Sequence, residues 1–362
     1  MKPLNFLIFI LVFFSKIPFI KSSECVGTKN LNIGFLQNEF IDYEPYLYYE
    51  LGKFASKSEI SFKIELVEDN YDKFDIIFGE YQDLKIFQNK ELTLNTEILD
   101  FYKRNNIQIS GNILPLDLDT FIILSKDDQK EFSFDELSNF FNPMQYSLGA
   151  NLLYKDQLIK LITYNLNGRP LEENDINLEY LLSLYSSTYE NLNKNIIESN
   201  FIELVESFDS NENTFTVFSD GILLNKNINY RYFRLFPTTK YLWSEVEGIF
   251  ERSTMNNPIS FFGFSAYINN QEDLGFICHL MEKNIRENTF RNFNLQISPL
   301  SEREVEDISL NIPINYKEIL LNKNKNIYEL DSYGIKNYEK FIQIISGKRE
   351  FKELINSDNY LN

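Results

Sequence analysis

The sequence contains one histidine and two cysteines, and this scarcity excludes several kinds of catalytic and metal site. His279, Cys25 and Cys278 are the only such residues among 362. They cannot supply the four ligands of a structural zinc site. His279 lies beside an apolar helical stripe, so no Ser-His-Asp arrangement is indicated, and we predict an exposed or half-buried helix residue. We expect a protein that is not an enzyme, with no catalytic residue, no metal and no cofactor.

Long apolar runs are also missing, apart from one near the N-terminus. The run Leu4–Phe14 follows a basic start and is too short to span a bilayer, which is typical of an export signal. We therefore predict a signal peptide or anchor region over residues 1–25 and a periplasmic or otherwise extracytoplasmic protein. A buried N-terminal strand or an uncleaved anchor is the alternative. A lipid anchor on Cys25 is disfavoured, because Glu24 departs from the pattern that precedes a lipidated cysteine.

The two cysteines leave two interpretations open. In an oxidising compartment they could form a disulfide that ties down the start of the mature chain. Cys278, however, falls on an apolar stripe at helical spacing, where a small buried thiol fits equally well. The stripe slightly favours the buried thiol.

Positive charge is scarce relative to negative charge. The formal net charge is −18, which would repel nucleic acid and anionic membrane surfaces. A chain of 362 residues can bury more than one core, so we expect two lobes.

Short apolar strands alternate with helical patterns in the first third of the chain. Strands are predicted at Leu31–Phe35, Ser61–Val67 and Asp75–Phe78, with an aromatic-rich helix after the first. This alternation predicts a mostly parallel sheet, and such sheets bind ligands beyond the carboxyl ends of their strands. The polar and aromatic residues at those ends are candidate ligand contacts: Glu39, Tyr43, Glu80 and Tyr81.

Gly111–Leu124 is predicted to cross between the lobes, with its polar loop at the cleft. Asp117 and Asp119 lie in that loop and could accept hydrogen bonds from ligand hydroxyls or pair with an ammonium group. They could instead be ordinary turn carboxylates that bind local amides. Three second-lobe helices follow along the chain, and we predict an irregular segment between Pro237 and Pro258.

Sugars present hydroxyls and flat apolar faces, so a sugar site needs carboxylates or amides together with aromatic rings. The chain has 22 tyrosines and one tryptophan, Trp243. Trp243 is either a stacking platform or a structural anchor. Asp220, Trp243 and Phe262 are the candidates from the second lobe or the hinge. A secreted carbohydrate-active enzyme remains an alternative, although no spacing indicates a pair of catalytic carboxylates.

Three segments, in this order, carry a resemblance to a known family. Phe74–Gly79 resembles its third-strand element, Gly111–Leu124 its lobe crossing, and Phe261–Met281 its return to the first lobe. Ser125-Lys126 replaces the Asn-Lys usual in the crossing. The order is similar to that of extracellular solute-binding proteins of ATP-driven importers, in the branch typified by maltose-binding protein.

The resemblance implies an α/β fold of two interleaved lobes joined by a hinge, which is the type II periplasmic-binding-protein architecture. Each lobe would be a mixed, mostly parallel sheet flanked by helices. The first lobe would comprise residues 26–122 and 264–312, and the second 123–263 and 313–362. It also implies a monomer that delivers a small solute, most simply a carbohydrate, to an inner-membrane ABC permease. A ligand-sensing receptor and a polyamine or amino-acid binder of the same fold are the alternatives.

Overall fold

The computed structural model describes two five-stranded sheets, a two-stranded hairpin and the helices that pack on them. The described residues are 25, 27, 29–37, 43–68, 71–87, 98, 100, 102–103, 107, 109, 111–125, 148–149, 152, 154–173, 175–192, 194, 197, 215–219, 232–235, 238–244, 249–255, 259–269, 274–282, 321–323 and 325–356. The proposed signal peptide lies outside them.

Strands and helices alternate at first, and strands dominate the middle of the chain. The strands are β1 (Leu31–Phe35), β2 (Phe62–Leu66), β3 (Ile76–Glu80), β4 (Ile113–Pro115), β5 (Leu118–Ser125), β6 (Phe215–Ser219), β7 (Tyr232–Leu235), β8 (Thr238–Ser244), β9 (Ile249–Met255), β10 (Ser260–Phe262), β11 (Phe264–Ile268) and β12 (Ile327–Tyr328). The helices are α1 (Glu44–Ser58), α2 (Tyr81–Leu84), α3 (Lys155–Asn165), α4 (Ile176–Glu190), α5 (Leu274–Met281), α6 (Ser332–Ile345) and α7 (Lys352–Asn356), with short 3-10 turns at Tyr71–Lys73 and Lys85–Phe87.

The first lobe is built on a five-stranded sheet with the order β2-β1-β3-β11-β4. β1 runs parallel to β2 and β3, whereas β11 is antiparallel to both of its neighbours. β3 has the sequence IIFGE and is buried along its whole length, as a central strand should be. β2 lies at the edge and carries Lys63 and Glu65, and such charges discourage pairing with another chain.

The second lobe contains a sheet in the order β12-β10-β5-β6, with β7 also paired to β5. Helices α3, α4 and α6 pack on it around one apolar core that is separate from the core of the first lobe. Asp331 caps α6 by accepting hydrogen bonds from the N–H groups of Tyr333 and Gly334 at 2.8 and 3.2 Å. After α3 the chain passes through Gly168 at φ 71°, a left-handed conformation with which glycine commonly ends a helix.

Two strands cross between the lobes side by side. The first crossing runs from β4 to β5 through Leu116 and Asp117, and the second runs from β10 to β11 through Gly263. The Gly263 N–H donates to the Asp117 carbonyl at 3.0 Å, and the Leu116 N–H donates to the Phe264 carbonyl at 2.8 Å. These bonds tie the crossings together, so this pair of segments forms the hinge.

The first crossing lies earlier than the predicted boundary after residue 122. Leu118 already pairs with Phe262 in the second sheet, so residues 118–122 belong with the second lobe. The predicted boundary comes too late because Asp117 and Asp119 indicate a polar loop, whereas β5 begins at Leu118 and includes Asp119. Residues 283–320 lie outside the described part of the chain, so the assignment of 264–312 to the first lobe stays a prediction.

The segment between Pro237 and Pro258 contains a hairpin, so the prediction of an irregular segment is wrong. β8 and β9 pair antiparallel from Thr238↔Met255 to Ser244↔Ile249. The charged residues within both strands hide the simple apolar alternation that marks a half-buried strand.

Among the described helices, none is long and apolar enough to cross a bilayer.

Cys25 and Cys278 form a disulfide, which corrects the slight preference for a buried thiol. Their Cα atoms are 5.6 Å apart, across a separation of 253 residues in sequence. The bond ties the start of the described chain to α5. A sulfur atom held in this bond cannot also carry a thioether-linked lipid, which weighs further against an anchor at Cys25.

His279 is buried in the first lobe, not exposed or half-buried as predicted, with 3% of its surface accessible. Its ring lies 5.4 Å from the Phe54 ring and 6.2 Å from the Phe276 ring, measured between centroids. Its Nε2 is 3.4 Å from Glu50 Oε2. Because α5 packs against α1, the face that carries His279 becomes interior, and the residue belongs to the core instead of a reactive site.

Candidate functional site

The carboxyl end of β3 brings a carboxylate and a phenol together beside the hinge. Glu80 closes this strand, and the Tyr43 hydroxyl donates to Glu80 Oε1 at 3.0 Å. The Tyr43 ring stacks on Phe264, with centroids 3.9 Å apart. The next residue, Tyr81, donates its N–H to the Gly263 carbonyl at 3.0 Å. The first-lobe side of the site is therefore fixed directly to the crossing strands.

The second lobe contributes a lysine that the sequence analysis did not identify. Lys160 lies on α3, and its Nζ donates to Asp119 Oδ2 at 3.0 Å. The same Nζ is 3.8 Å from Glu80 Oε2, across the interface between the lobes. The Lys160 side chain is only 2% exposed, so one buried ammonium contacts carboxylates from both lobes.

The environment of this cluster shifts the protonation of its members. Burial raises the pKa of Glu80 to about 7, and the Lys160 ammonium only partly opposes this effect. Burial by itself would lower the pKa of Lys160, but the attraction of Asp119 and Glu80 outweighs it and raises that pKa above its ordinary value. Burial, followed by the charge of Glu80, also raises the pKa of Tyr43. Near neutral pH the lysine is charged and Glu80 is close to half-protonated.

Two more carboxyl groups face each other at the edge of the cluster. Although Asp83 on α2 keeps exposed surface, partial desolvation and then the charge of Asp156 raise its pKa to about 6. Burial also raises the pKa of Asp156 on α3, against the opposing effect of Lys160. Asp83 comes from the first lobe and Asp156 from the second, so their repulsion acts between the lobes.

Aromatic rings lie beside the charged cluster. The rings of Tyr81 and Phe262 are 4.7 Å apart between centroids, and Phe262 is partly buried. The Tyr81 hydroxyl donates to Glu329 Oε1 at 3.1 Å, and Lys85 Nζ donates to Glu329 Oε2 at 2.5 Å. Because Glu329 follows β12 in the second sheet, these bonds form another bridge between the lobes.

Asp117 and Asp119 occupy buried positions at the hinge, with different partners. Asp117 Oδ1 accepts the N–H of Leu118 at 2.8 Å, which is the behaviour expected of a turn carboxylate. Asp119 pairs with Lys160 as described above. Both carboxylates therefore have partners within the protein.

Three predicted positions have no described side chain in the structure. Glu39 and Asp220 lie outside the described residues. Trp243 lies in β8, where the structure describes the backbone alone. The structure thus brings together six of the predicted residues, namely Tyr43, Glu80, Tyr81, Asp117, Asp119 and Phe262. Among the described residues, no group of three or more His, Cys, Asp or Glu side chains could hold a metal ion.

The raised pKa of Glu80 predicts a stability that falls as pH rises. The unfolded chain releases this proton near pH 4.5 and the folded chain near pH 7, so the folded state holds more protons between those values. The free energy of unfolding should therefore decrease across this window by about 3 kcal/mol from Glu80 alone. Urea denaturation at a series of pH values measures this slope. Glu80→Gln should flatten it, whereas Glu68→Gln, at an exposed glutamate of the same lobe, should leave it unchanged; equal slopes in all three proteins would contradict the assignment.

The arrangement is suited to binding. It offers a carboxyl group that can donate or accept, a buried ammonium and a pair of aromatic rings, all at a hinge between two lobes. No described serine, threonine or cysteine of the cluster lies next to a histidine base, because the single histidine is in the first-lobe core.

Comparison with known proteins gives similarity in structure alone. No protein-family model and no curated protein matches the sequence. The maltose-bound MalE3 of T. maritima is similar at a TM-score of 0.62 and 11% identity, over 91% of this chain and 97% of that chain. A solute-binding protein of an ABC transporter from Agrobacterium vitis S4, with bound D-mannitol, has a TM-score of 0.59 and 10% identity over 92% and 97%.

A third similar structure is the cyclic alpha-maltosyl-1,6-maltose binding protein of Arthrobacter globiformis, with a TM-score of 0.55 and 11% identity over 90% of this chain and 96% of that chain. All three comparisons cover nearly the whole length of both proteins, so they include both lobes and the hinge. The chain therefore has the two-lobed α/β fold of the solute-binding proteins that resemble maltose-binding protein.

Proposed function

We propose that this protein is an extracytoplasmic solute-binding protein that binds a carbohydrate between its lobes and delivers it to an ABC import permease. The observation that carries the proposal is the position of the polar cluster. Tyr43, Glu80 and Asp119 meet Lys160 where the carboxyl end of β3 reaches the two crossing strands. A ligand at this position contacts both lobes at once, and closure of the hinge follows from contacts made on both sides.

The chemistry of the cluster supports a polyhydroxylated ligand. Carboxyl and hydroxyl groups can exchange hydrogen bonds with sugar hydroxyls, and the Tyr81 and Phe262 rings can cover an apolar sugar face. The similar structures carry maltose and D-mannitol, which supports the same class of ligand here. Glu39, Asp220 and Trp243 remain predicted ligand contacts.

The disulfide supports an extracytoplasmic location. Bonds of this kind persist in oxidising compartments and are rare in reducing ones. An N-terminal export signal is consistent with such a location. A permease partner and a monomeric state belong to the same proposal, and the binding proteins among the similar structures support a role that is not enzymatic.

The decisive test is a thermal-shift screen with mono- and oligosaccharides, polyols, polyamines and amino acids. A ligand that binds only the folded state raises the melting temperature, by an amount equivalent to about 2.7 kcal/mol at a hundredfold excess over Kd. We expect at least one uncharged sugar or polyol to produce such a shift. Small-angle scattering should show a smaller radius of gyration with that ligand. A panel without any stabilising solute would overturn the proposal, and turnover of a bound sugar would indicate an enzyme instead.

A further inference from the structure

The buried ammonium of Lys160 lies between two carboxylates that come from different lobes. Its Nζ lies 3.0 Å from Asp119 Oδ2 and 3.8 Å from Glu80 Oε2. Asp119 and Glu80 come from different elements and converge on one point. An ammonium-bearing solute bound there would need these same two carboxylates, so it would have to displace a lysine that is 2% exposed and already paired.

The same face of α3 carries an acceptor that lacks a donor. Gln157 is one helical turn before Lys160, so their side chains are neighbours on the helix surface. Gln157 is 6% exposed, and its Oε1 has no hydrogen-bond partner among the described residues. A buried acceptor without a donor costs free energy. A hydroxyl group of a bound solute would satisfy it without bringing further charge.

Anionic solutes fit this region poorly. Glu80, Asp83, Asp119 and Asp156 place four carboxyl groups around the Lys160 ammonium. Each carboxylate that remains charged repels a phosphate or carboxylate ligand, and Lys160 is already engaged with two of the four. The cation position is filled and the surroundings oppose anions, so an uncharged solute meets the fewest electrostatic penalties.

We propose that Lys160 selects ligands by their charge. Its ammonium neutralises Asp119 and Glu80 and thereby excludes ammonium-bearing solutes. Together with Gln157 it forms the second-lobe half of a site for an uncharged, polyhydroxylated solute. This inference rests on the proposed function, because it assigns the interlobe cluster to solute binding. It selects the carbohydrate or polyol over the polyamine and amino-acid alternatives.

The test of the cation position is chemical complementation. Lys160→Ala removes the atoms that n-propylammonium contains, so this amine should recover most of the melting temperature that the variant loses. Sodium chloride at equal ionic strength and tetramethylammonium, which cannot donate a hydrogen bond, should recover little. In the wild-type protein n-propylammonium should add nothing beyond sodium chloride. Stabilisation of both proteins by the amine, or of neither, would overturn the inference.

Two further variants keep the test informative if Lys160→Ala folds poorly. Glu80→Gln with Lys160→Ala removes excess negative charge but retains Asp119, so n-propylammonium should still stabilise it. Gln157→Leu removes the buried oxygen that has no hydrogen-bond donor, so it should stabilise the free protein. It also removes the proposed hydrogen bond to the solute, so the Kd of any uncharged solute found in the screen should rise by about tenfold. An unchanged Kd would contradict the role of Gln157. The complementation result does not depend on finding a solute, so it is distinguishable from a failure of the proposed function.

Discussion

Replacing Lys160 with methionine is expected to lower the free energy of unfolding by about 4 kcal/mol near neutral pH, because removal of one partner from a buried ion pair leaves an uncompensated charge. Methionine keeps a long side chain but brings no ammonium. Asp119 would lose its partner at 3.0 Å, and Glu80 would lose the ammonium at 3.8 Å. Urea denaturation monitored by circular dichroism measures the loss.

The loss should depend on pH, since a buried carboxylate left without the ammonium can take up a proton. Lys160 lowers the pKa of Glu80, so its removal should hold Glu80 further toward the protonated form, and the part of the deficit that comes from Glu80 should disappear as pH falls below the wild-type Glu80 pKa of about 7. Adding Asp119→Asn to Lys160→Met should recover part of the stability near neutral pH. Lys155→Met, at an exposed lysine of the same helix, is the matched control. A deficit equal to that of the control would show that the ion pairs add nothing to stability.

The architecture could be predicted because its signals are local. Glycine, proline and apolar runs mark the strands of the first sheet and the crossing at Gly111–Leu124, and the structure confirms that the chain changes sheet within this segment. The same signals locate Tyr43, Glu80 and Tyr81, since each lies near the carboxyl end of a strand. A residue that follows a strand in a parallel sheet is placed at the ligand edge by topology alone.

Lys160 could not be found in this way, because its role depends on partners distant in sequence. Asp119 is 41 residues away, and a lysine on an amphipathic helix is usually solvated. One signal is present in the sequence, because Lys160 falls between Ile159 and Leu161 in an apolar run, and the structure buries this helix from Gln157 onward. A helix without an exposed face must provide partners for its charged residues.

The burial of His279 and the pairing of Cys278 had the same cause. Both residues lie on α5, and the prediction for that helix used one apolar stripe as the only interior face. Packing against α1 and the bond to Cys25 engage a second face of the helix, which periodicity within a single helix cannot reveal. Long-range contacts, rather than local propensity, decided these positions.

Removing the disulfide is expected to cost up to about 5 kcal/mol of unfolding free energy. Its two cysteines are 253 residues apart in sequence, and a crosslink that closes so long a loop strongly restricts the unfolded chain. The double variant Cys25→Ala with Cys278→Ala measures the effect in urea denaturation. The slope of the transition should also increase, because the unfolded chain without the crosslink exposes more surface.

Reduction separates the crosslink from the packing of the two side chains. Wild-type protein treated with a reductant should lose nearly as much stability as the double variant, whereas the same reductant should leave the double variant unchanged. The single variant Cys25→Ala should match the double variant closely, since either change breaks the bond. If reduced wild-type protein kept its full stability, the bond between Cys25 and Cys278 would not restrain the unfolded chain.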